Sequence, residues 1–180
     1  MKKVLVMSVV LFFMGFSVVS AQTKEEMKAS QARYEKLADL LKKEPKTTGV
    51  GEIDTYVTNV LNASKLSQSL TEQLQGLYFR SIGETKDGVT DVNVKKPTVE
   101  ELTALAGTIA TQAVTVKDAA TSAEAALNAS KEQKNPMKVA KIASALGFTK
   151  DAYPIVVEES AAQAKAIQGM IETAKTAKNL

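Results

Sequence analysis

Residues 98–127, TVEELTALAGTIATQAVTVKDAATSAEAAL, decide the fold. Val99, Leu102, Ala106, Ile109, Ala113, Val116, Ala120, Ala123 and Leu127 follow one another at alternating steps of three and four. That spacing draws one apolar stripe along a helix, because residues three and four apart share a face. Thr98 and Glu101 stand at the spacing of a capping box, so the helix is expected to begin here, directly after Pro97. Four of the nine stripe residues are alanine, which lets a neighbouring helix axis come close while burying little area per residue.

Working outward, the same kind of pattern recurs on both sides. Tyr56, Val60, Ala63, Ser67, Leu70, Leu74 and Leu77, widened by Ile53, Val57 and Tyr78, predict a long helix over residues 52–82. Met27, Tyr34, Leu37, Leu40 and Leu41 predict another over 25–45, ended by Pro45, Gly49 and Gly51. After KEQKN, Pro136 is expected to open a short helix over 137–146, with Val139, Ile142, Ala143 and Leu146 on one face and Gly147 as its C-cap. A last helix is expected over 151–178, with Pro154 in its first turn and a stripe of Tyr153, Val157, Ala161, Ala164, Ile167, Ile171 and Ala174. The helix of residues 98–132 thus joins an all-α, antiparallel bundle of four main helices plus one short helix. Alanine is concentrated in the second half, with 20 in the 84 residues from Pro97 onward against 4 in the 75 from Gln22 to Lys96.

Between the second and third main helices, residues 84–96 (ETKDGVTDVNVKK) lack helical periodicity and predict a long loop. The Asp87-Gly88 pair signals a turn, and Val89, Val92 and Val94 suit a short strand or hairpin. Asp87, Asp91 and Asn93 supply oxygen donors of the kind calcium takes, but the EF-hand spacing is missing and a solvated turn explains them.

The N-terminus, MKKVLVMSVVLFFMGFSVVSAQT, has Lys2 and Lys3 before a short apolar run and small residues ending at Ala21. It predicts a cleaved signal peptide over 1–21 and an exported single domain over 22–180, periplasmic or extracellular. The apolar run is shorter than the roughly 20 residues of a spanning helix. Without cysteine there is neither a disulfide nor the cysteine that anchors a lipoprotein, so the exported chain is expected to be soluble and held by burial alone.

Composition also removes functions. The chain carries 23 Lys and Arg against 20 Asp and Glu; removing Lys2 and Lys3 leaves 21 against 20, a net charge of +1. Such a balance gives no electrostatic basis for binding nucleic acid or an anionic membrane. With no histidine and no cysteine, the commonest general base and most zinc and copper ligands are missing. Glu100-Glu101 and Glu158-Glu159 are adjacent carboxylates, which on a helix point about 100° apart and do not face one substrate. Ser64-Lys65 and Ser130-Lys131 lie on helical patterns without the turn that exposes a nucleophile. No catalytic, cofactor-binding or metal-ligating residue is therefore assigned, and the chain is not expected to be an enzyme.

LNASK occurs at 61–65 and again at 127–131, but its flanks do not align at that offset, which favours coincidence in two segments rich in Ala, Ser and Asn over a duplication. Asn62 and Asn128 fit the glycan acceptor pattern formally, yet both fall on helices. Tyr34, Tyr56, Tyr78 and Tyr153 lie on apolar stripes and are expected in the core, with Phe79 and Phe148 near helix ends. The function expected from these residues is a non-enzymatic interaction or structural protein of a bacterial envelope, with a protein partner or self-association. The alternative is a bundle that binds an apolar small molecule in the alanine-lined seam between the third and last helices.

Overall fold

A computed structural model describes residues 23–85, 89, 90 and 93–177. Most of the described residues fall in four helices: α1 (Lys24–Leu41), α2 (Gly51–Ile82), α3 (Val99–Glu132) and α4 (Pro136–Ala177). The signal-peptide expectation for residues 1–21 lies outside the described residues.

Local chemistry explains where each helix starts. Thr23 and Thr98 both form complete capping boxes, with Glu26 and Glu101 respectively, as the spacing around Thr98 predicts. The first turn of α2 has no side-chain bond from its N-cap residue, Val50. Instead Asp54 reaches back and accepts from the Thr48 amide and hydroxyl, both at 2.8 Å, and from the Gly49 amide at 3.1 Å. Burial pushes the Asp54 carboxyl up, and the donors of Thr48, Gly49 and Val50 outweigh it, holding the group below the usual aspartate range. Gly49 at φ 76° and Gly83 at φ 72° take the left-handed conformations that turn the chain into and out of α2. Asn135 caps α4 by accepting from the Met137 amide at 3.0 Å.

One expectation is corrected here. The short helix over 137–146 and the separate helix over 151–178 are a single helix of 42 residues, α4, with Gly147 and Pro154 inside it. At 1.5 Å per residue it runs about 63 Å. Pro154 removes one amide donor and crowds the preceding turn, which in isolation would break the helix. It sits on the exposed side of α4, while Ala145, Phe148, Thr149, Ala152 and Val156 bury a continuous line across the same stretch. Packing of that inner line carries the helix through, with the affected carbonyl on the solvent side.

Cross-helix bonds fix the arrangement. Tyr34 donates to Glu72 at 2.5 Å and Gln75 to Gln31 at 2.8 Å, Asn59 to Ser122 at 3.2 Å and Arg80 to Glu101 at 3.2 Å, and Lys165 to Glu26 at 2.7 Å and Arg33 to Glu159 at 2.6 Å, which makes α1–α2, α2–α3 and α1–α4 antiparallel. α2 and α4 pack against one another and against both other helices, whereas α1 and α3 lie on opposite sides of that pair. α2 ends at Ile82 and α3 starts at Val99; between them Glu84 and Thr90 form an isolated antiparallel bridge, and Thr85 donates to the Val89 carbonyl at 2.8 Å.

The α2 stripe is buried as its spacing predicts, with Leu77 half-buried at its edge. The other two long helices are rotated from expectation. In α3 the buried line is Leu102, Leu105, Ile109, Gln112, Val116, Ala119 and Ala126. Ala106, Ala113, Ala120 and Ala123 flank it half-buried, and Leu127 is exposed. In α4 the buried line passes through Val156, Glu159, Gln163, Ala166 and Met170, leaving Tyr153, Val157, Ala161 and Ala164 beside it. In both cases the inner line accepts polar residues that a purely apolar stripe excludes.

Those polar residues divide the core in two. One cluster gathers Leu37, Ile53, Tyr56, Val60, Val116, Phe148 and Val156. The other gathers Met27, Leu70, Leu74, Leu102, Ile109, Ile167 and Met170. Between them lie Ser30, Ser64, Ser67, Thr71, Gln112, Glu159, Ser160 and Gln163, all buried.

Candidate functional site

The polar layer is centred on Glu159, whose side chain is 1% exposed. Arg33 of α1 donates to one carboxylate oxygen through Nε at 2.6 Å. The other oxygen accepts a short bond from the Ser30 hydroxyl and a bond from the Thr71 hydroxyl at 2.8 Å. Three helices thus converge on one carboxylate. Gln163, one turn further along α4, donates to the Ser67 carbonyl and to the Thr71 hydroxyl, each at 2.9 Å. A buried charge is tolerated only when paired and hydrogen-bonded, and Glu159 has both. The arrangement locks α1, α2 and α4 in one register, since a slip of one turn would strand the charge. It offers little chemistry: the carboxylate is enclosed and its oxygens are engaged.

The residues weighed in the sequence are dispersed. Glu158 is exposed while Glu159 is buried, so the pair does not converge. Glu101 belongs to the α3 capping box and pairs with Arg80 at 3.1 Å; the Thr98 amide and then the guanidinium hold its carboxyl below the ordinary range. The Ser64 hydroxyl donates to the Val60 carbonyl at 2.7 Å, and Lys65 turns outward to Glu44 at 2.5 Å. The Ser130 hydroxyl donates to the Leu127 carbonyl at 2.7 Å. Asn93 is exposed in a turn, and Asp87 and Asp91 lie outside the described residues. Among the described residues no three of the acidic side chains are grouped as a metal site would need. Asn62 and Asn128 are exposed within α2 and α3.

Of the four tyrosines expected in the core, Tyr56 and Tyr78 are buried, whereas Tyr34 and Tyr153 are only half-buried. Burial raises the Tyr153 and Tyr56 hydroxyls above the usual tyrosine range. Phe148 lies in the larger core cluster, and Phe79 meets Tyr78 edge to face at 5.6 Å between ring centres.

A second feature was not singled out by the apolar spacing: the outer face of α3. From Leu102 to Val116 the chain has no charged residue, although Thr103, Ala104, Gly107, Thr108, Ala110, Thr111 and Val114 are all exposed. A solvated helix face ordinarily carries charges. The threonines turn their hydroxyls onto the helix itself: Thr103 to the Val99 carbonyl at 2.7 Å, Thr111 to Gly107 at 3.2 Å and Thr115 to Thr111 at 3.3 Å. Hydroxyls engaged in this way leave the methyl groups facing outward. Gly107 is not required by internal packing, because a Cβ placed there meets nothing within 4 Å. Val114 is 57% exposed at the end of this strip.

Two shallow depressions of about 270 and 370 Å³ lie elsewhere, the first beside Glu72, Phe79 and Arg80, the second beside Thr47, Met137 and Lys141. The alanines of the α3–α4 seam, Ala119, Ala126, Ala145 and Ala152, are fully buried in the larger cluster. No helix among the described residues is long and apolar enough to cross a membrane. The chain matches no protein-family model, no curated protein and no solved structure.

Proposed function

We propose that this is an exported, non-enzymatic protein of a bacterial envelope that works by contact, and that the contact is the outer face of α3 against a second copy of the same chain. The observation that carries this reading is the uncharged, methyl-covered strip from Thr103 to Val114, exposed along the outer face of α3. Export is inferred from the charged, apolar and small-residue succession over residues 1–21.

A second copy is favoured by the symmetry of the strip. Glu100, Thr103, Gly107, Ala110, Val114 and Lys117 recur at steps of three and four, and every one is exposed. Laid antiparallel on itself about a twofold axis between Thr108 and Ile109, the line places Gly107 opposite Ala110 and Thr103 opposite Val114. The same operation sets Glu100 opposite Lys117 at both ends, so the charges that bound the strip become complementary. The smallest residues meet at the centre, where the two axes approach most closely. One helix face from each copy is a short contact compared with the roughly 1,600 Å² of a standard interface, which favours reversible association.

Sedimentation velocity over a concentration series tests the reading. The mature chain is expected to show a reversible monomer–dimer equilibrium, abolished by Ala110→Glu and unaffected by Ser144→Glu on the exposed side of α4. A chain that stays monomeric at high concentration, or an Ala110→Glu variant that associates as well as the unaltered chain, would refute the α3 contact.

A further inference from the structure

Within the polar layer, four buried atoms have no hydrogen-bond partner among the described residues: Ser67 Oγ, Gln163 Oε1, and both Oε1 and Nε2 of Gln112. Their residues come from three helices and are 0% exposed for Ser67 and Gln112 and 1% for Gln163. An unpaired buried amide or hydroxyl carries a desolvation penalty that native proteins relieve with protein or water partners. Gln112 is the extreme case, since neither end of its amide is satisfied and replacing it by an apolar residue of like size would continue the α3 line from Ile109 to Val116.

The four atoms belong to one cross-section of the bundle. Gln163 Nε2 lies 2.9 Å from the Ser67 carbonyl, which brings Gln163 Oε1 and the Ser67 side chain to the same level of α2 and α4. The α2–α3 register is pinned by Asn59–Ser122 at one end and Arg80–Glu101 at the other, and it sets Gln112 level with the α2 turn that contains Ser67 and Leu70. Adjacent helix axes stand about 8–10 Å apart, so an amide reaching inward from α3 ends within one small molecule's width of the groups on α2 and α4.

We infer that this layer is a binding site for internal water, with one ordered water bridging the Gln112 amide to Ser67 Oγ and Gln163 Oε1. The chemistry selects water over other occupants. The orphaned set holds two amide acceptors, one amide donor and one hydroxyl that does either, a neutral mixture that matches a molecule with two donors and two acceptors. Buried waters typically make about three hydrogen bonds to groups of this kind. Because Glu159 already has Arg33, Ser30 and Thr71, the site carries no uncompensated charge to attract an ion. The water completes the layer by joining α3, the one helix that contributes nothing to the Glu159 cluster, to the other three. It is independent of the contact proposed for the outer face of α3, since Gln112 points to the opposite side.

Magnetic relaxation dispersion of water nuclei on the mature protein reads this directly by counting long-lived internal waters. The unaltered chain is expected to show a contribution that falls by about one water in Gln112→Met, with no gain in thermal stability, and falls likewise in the milder Ser67→Ala. The inference is overturned if neither substitution changes the count. It is equally overturned if Gln112→Met raises Tm by several degrees without losing a water, for then the amide was unpaired and dry. A crystal structure placing the Gln112 amide in direct bonds to protein groups would also overturn it.

Discussion

Replacing Glu159 by alanine is the perturbation that most directly probes the polar layer. In the folded chain the carboxylate is 1% exposed, takes the Arg33 guanidinium at 2.6 Å, and also accepts from Ser30 and Thr71. Removing it strands three donors. Arg33 keeps partial access to water, with 20% of its side chain exposed, so it recovers some solvation, whereas Ser30 and Thr71 are buried. Breaking a buried pair by deleting one partner costs about 3–5 kcal/mol, and the cavity left by the truncated side chain acts in the same direction. For a domain of this size that corresponds to a fall in Tm of roughly 6–20 °C. The assay is urea unfolding followed by circular dichroism, with the change read from the midpoint at constant slope. The paired replacement Arg33→Met with Glu159→Met separates charge from packing: it is expected to lie much closer to the unaltered chain than Glu159→Ala, because a buried ion pair and an apolar pair of like volume are nearly equivalent. A Glu159→Ala variant within about 0.5 kcal/mol of the unaltered chain, the range of ordinary surface substitutions, would refute the enclosed carboxylate.

Other consequences follow from the same geometry. Pro154→Ala supplies the missing amide in the middle of α4 on its exposed side and is expected to raise stability by about 1–3 kcal/mol; a loss would mean that the helix breaks there. Ala145→Leu forces three more carbons into the α4 line at a fully buried position and is expected to cost about 1–3 kcal/mol or more, read as a lower urea midpoint; a neutral result would mean that the seam has room. Glu26, held low first by the Lys165 hydrogen bond and then by the Thr23 amide, and Asp54, held low by its Thr48, Gly49 and Val50 donors despite burial, both have folded values below their unfolded ones. Their stabilisation is present above about pH 4, the unfolded carboxylate range, and disappears as pH falls through the lower folded values. Thermal melts are therefore expected to be flat near neutrality and to decline below about pH 4, less steeply in a Glu26→Gln, Asp54→Asn double variant; an identical decline in that variant would contradict the assignment.

The legible part of this fold is the part written in apolar spacing and caps. The α2 stripe from Ile53 to Tyr78, the Thr98–Glu101 capping box and the turn at Asn135-Pro136 all stand where the sequence places them. Gly147 and Pro154 read as punctuation because local rules for those residues are strong, yet packing of Phe148, Ala152 and Val156 overrides them. The polar layer was illegible for a related reason. Ser30, Gln112, Glu159 and Gln163 occupy core positions that a search for apolar stripes assigns to the surface, and their partners lie far apart in sequence, as with Ser30 and Arg33 against Glu159. The available signal was the regularity of the lines they interrupt: Ile109, Gln112 and Val116 keep the three-and-four step, as do Val156, Glu159, Gln163 and Ala166. The outer face of α3 left a fainter trace in the absence of charge from Leu102 to Val116. That trace gains meaning only once the inner line of the helix is known, because the same alanines and threonines fit a buried surface equally well.

The proposed antiparallel contact of α3 with a second copy is tested most directly by a distance between the two copies. The chain has no cysteine, so Thr121→Cys on the exposed side of α3 gives a single site for a nitroxide spin label, clear of the strip. With the twofold axis between Thr108 and Ile109, the two labels are separated along the helices by about 38 Å at 1.5 Å per residue. Double electron–electron resonance at high protein concentration is predicted to give one distance close to 40 Å once the width of the helix pair is included. A trace without dipolar modulation, or a distance below about 20 Å as a parallel pairing would give, would contradict the account.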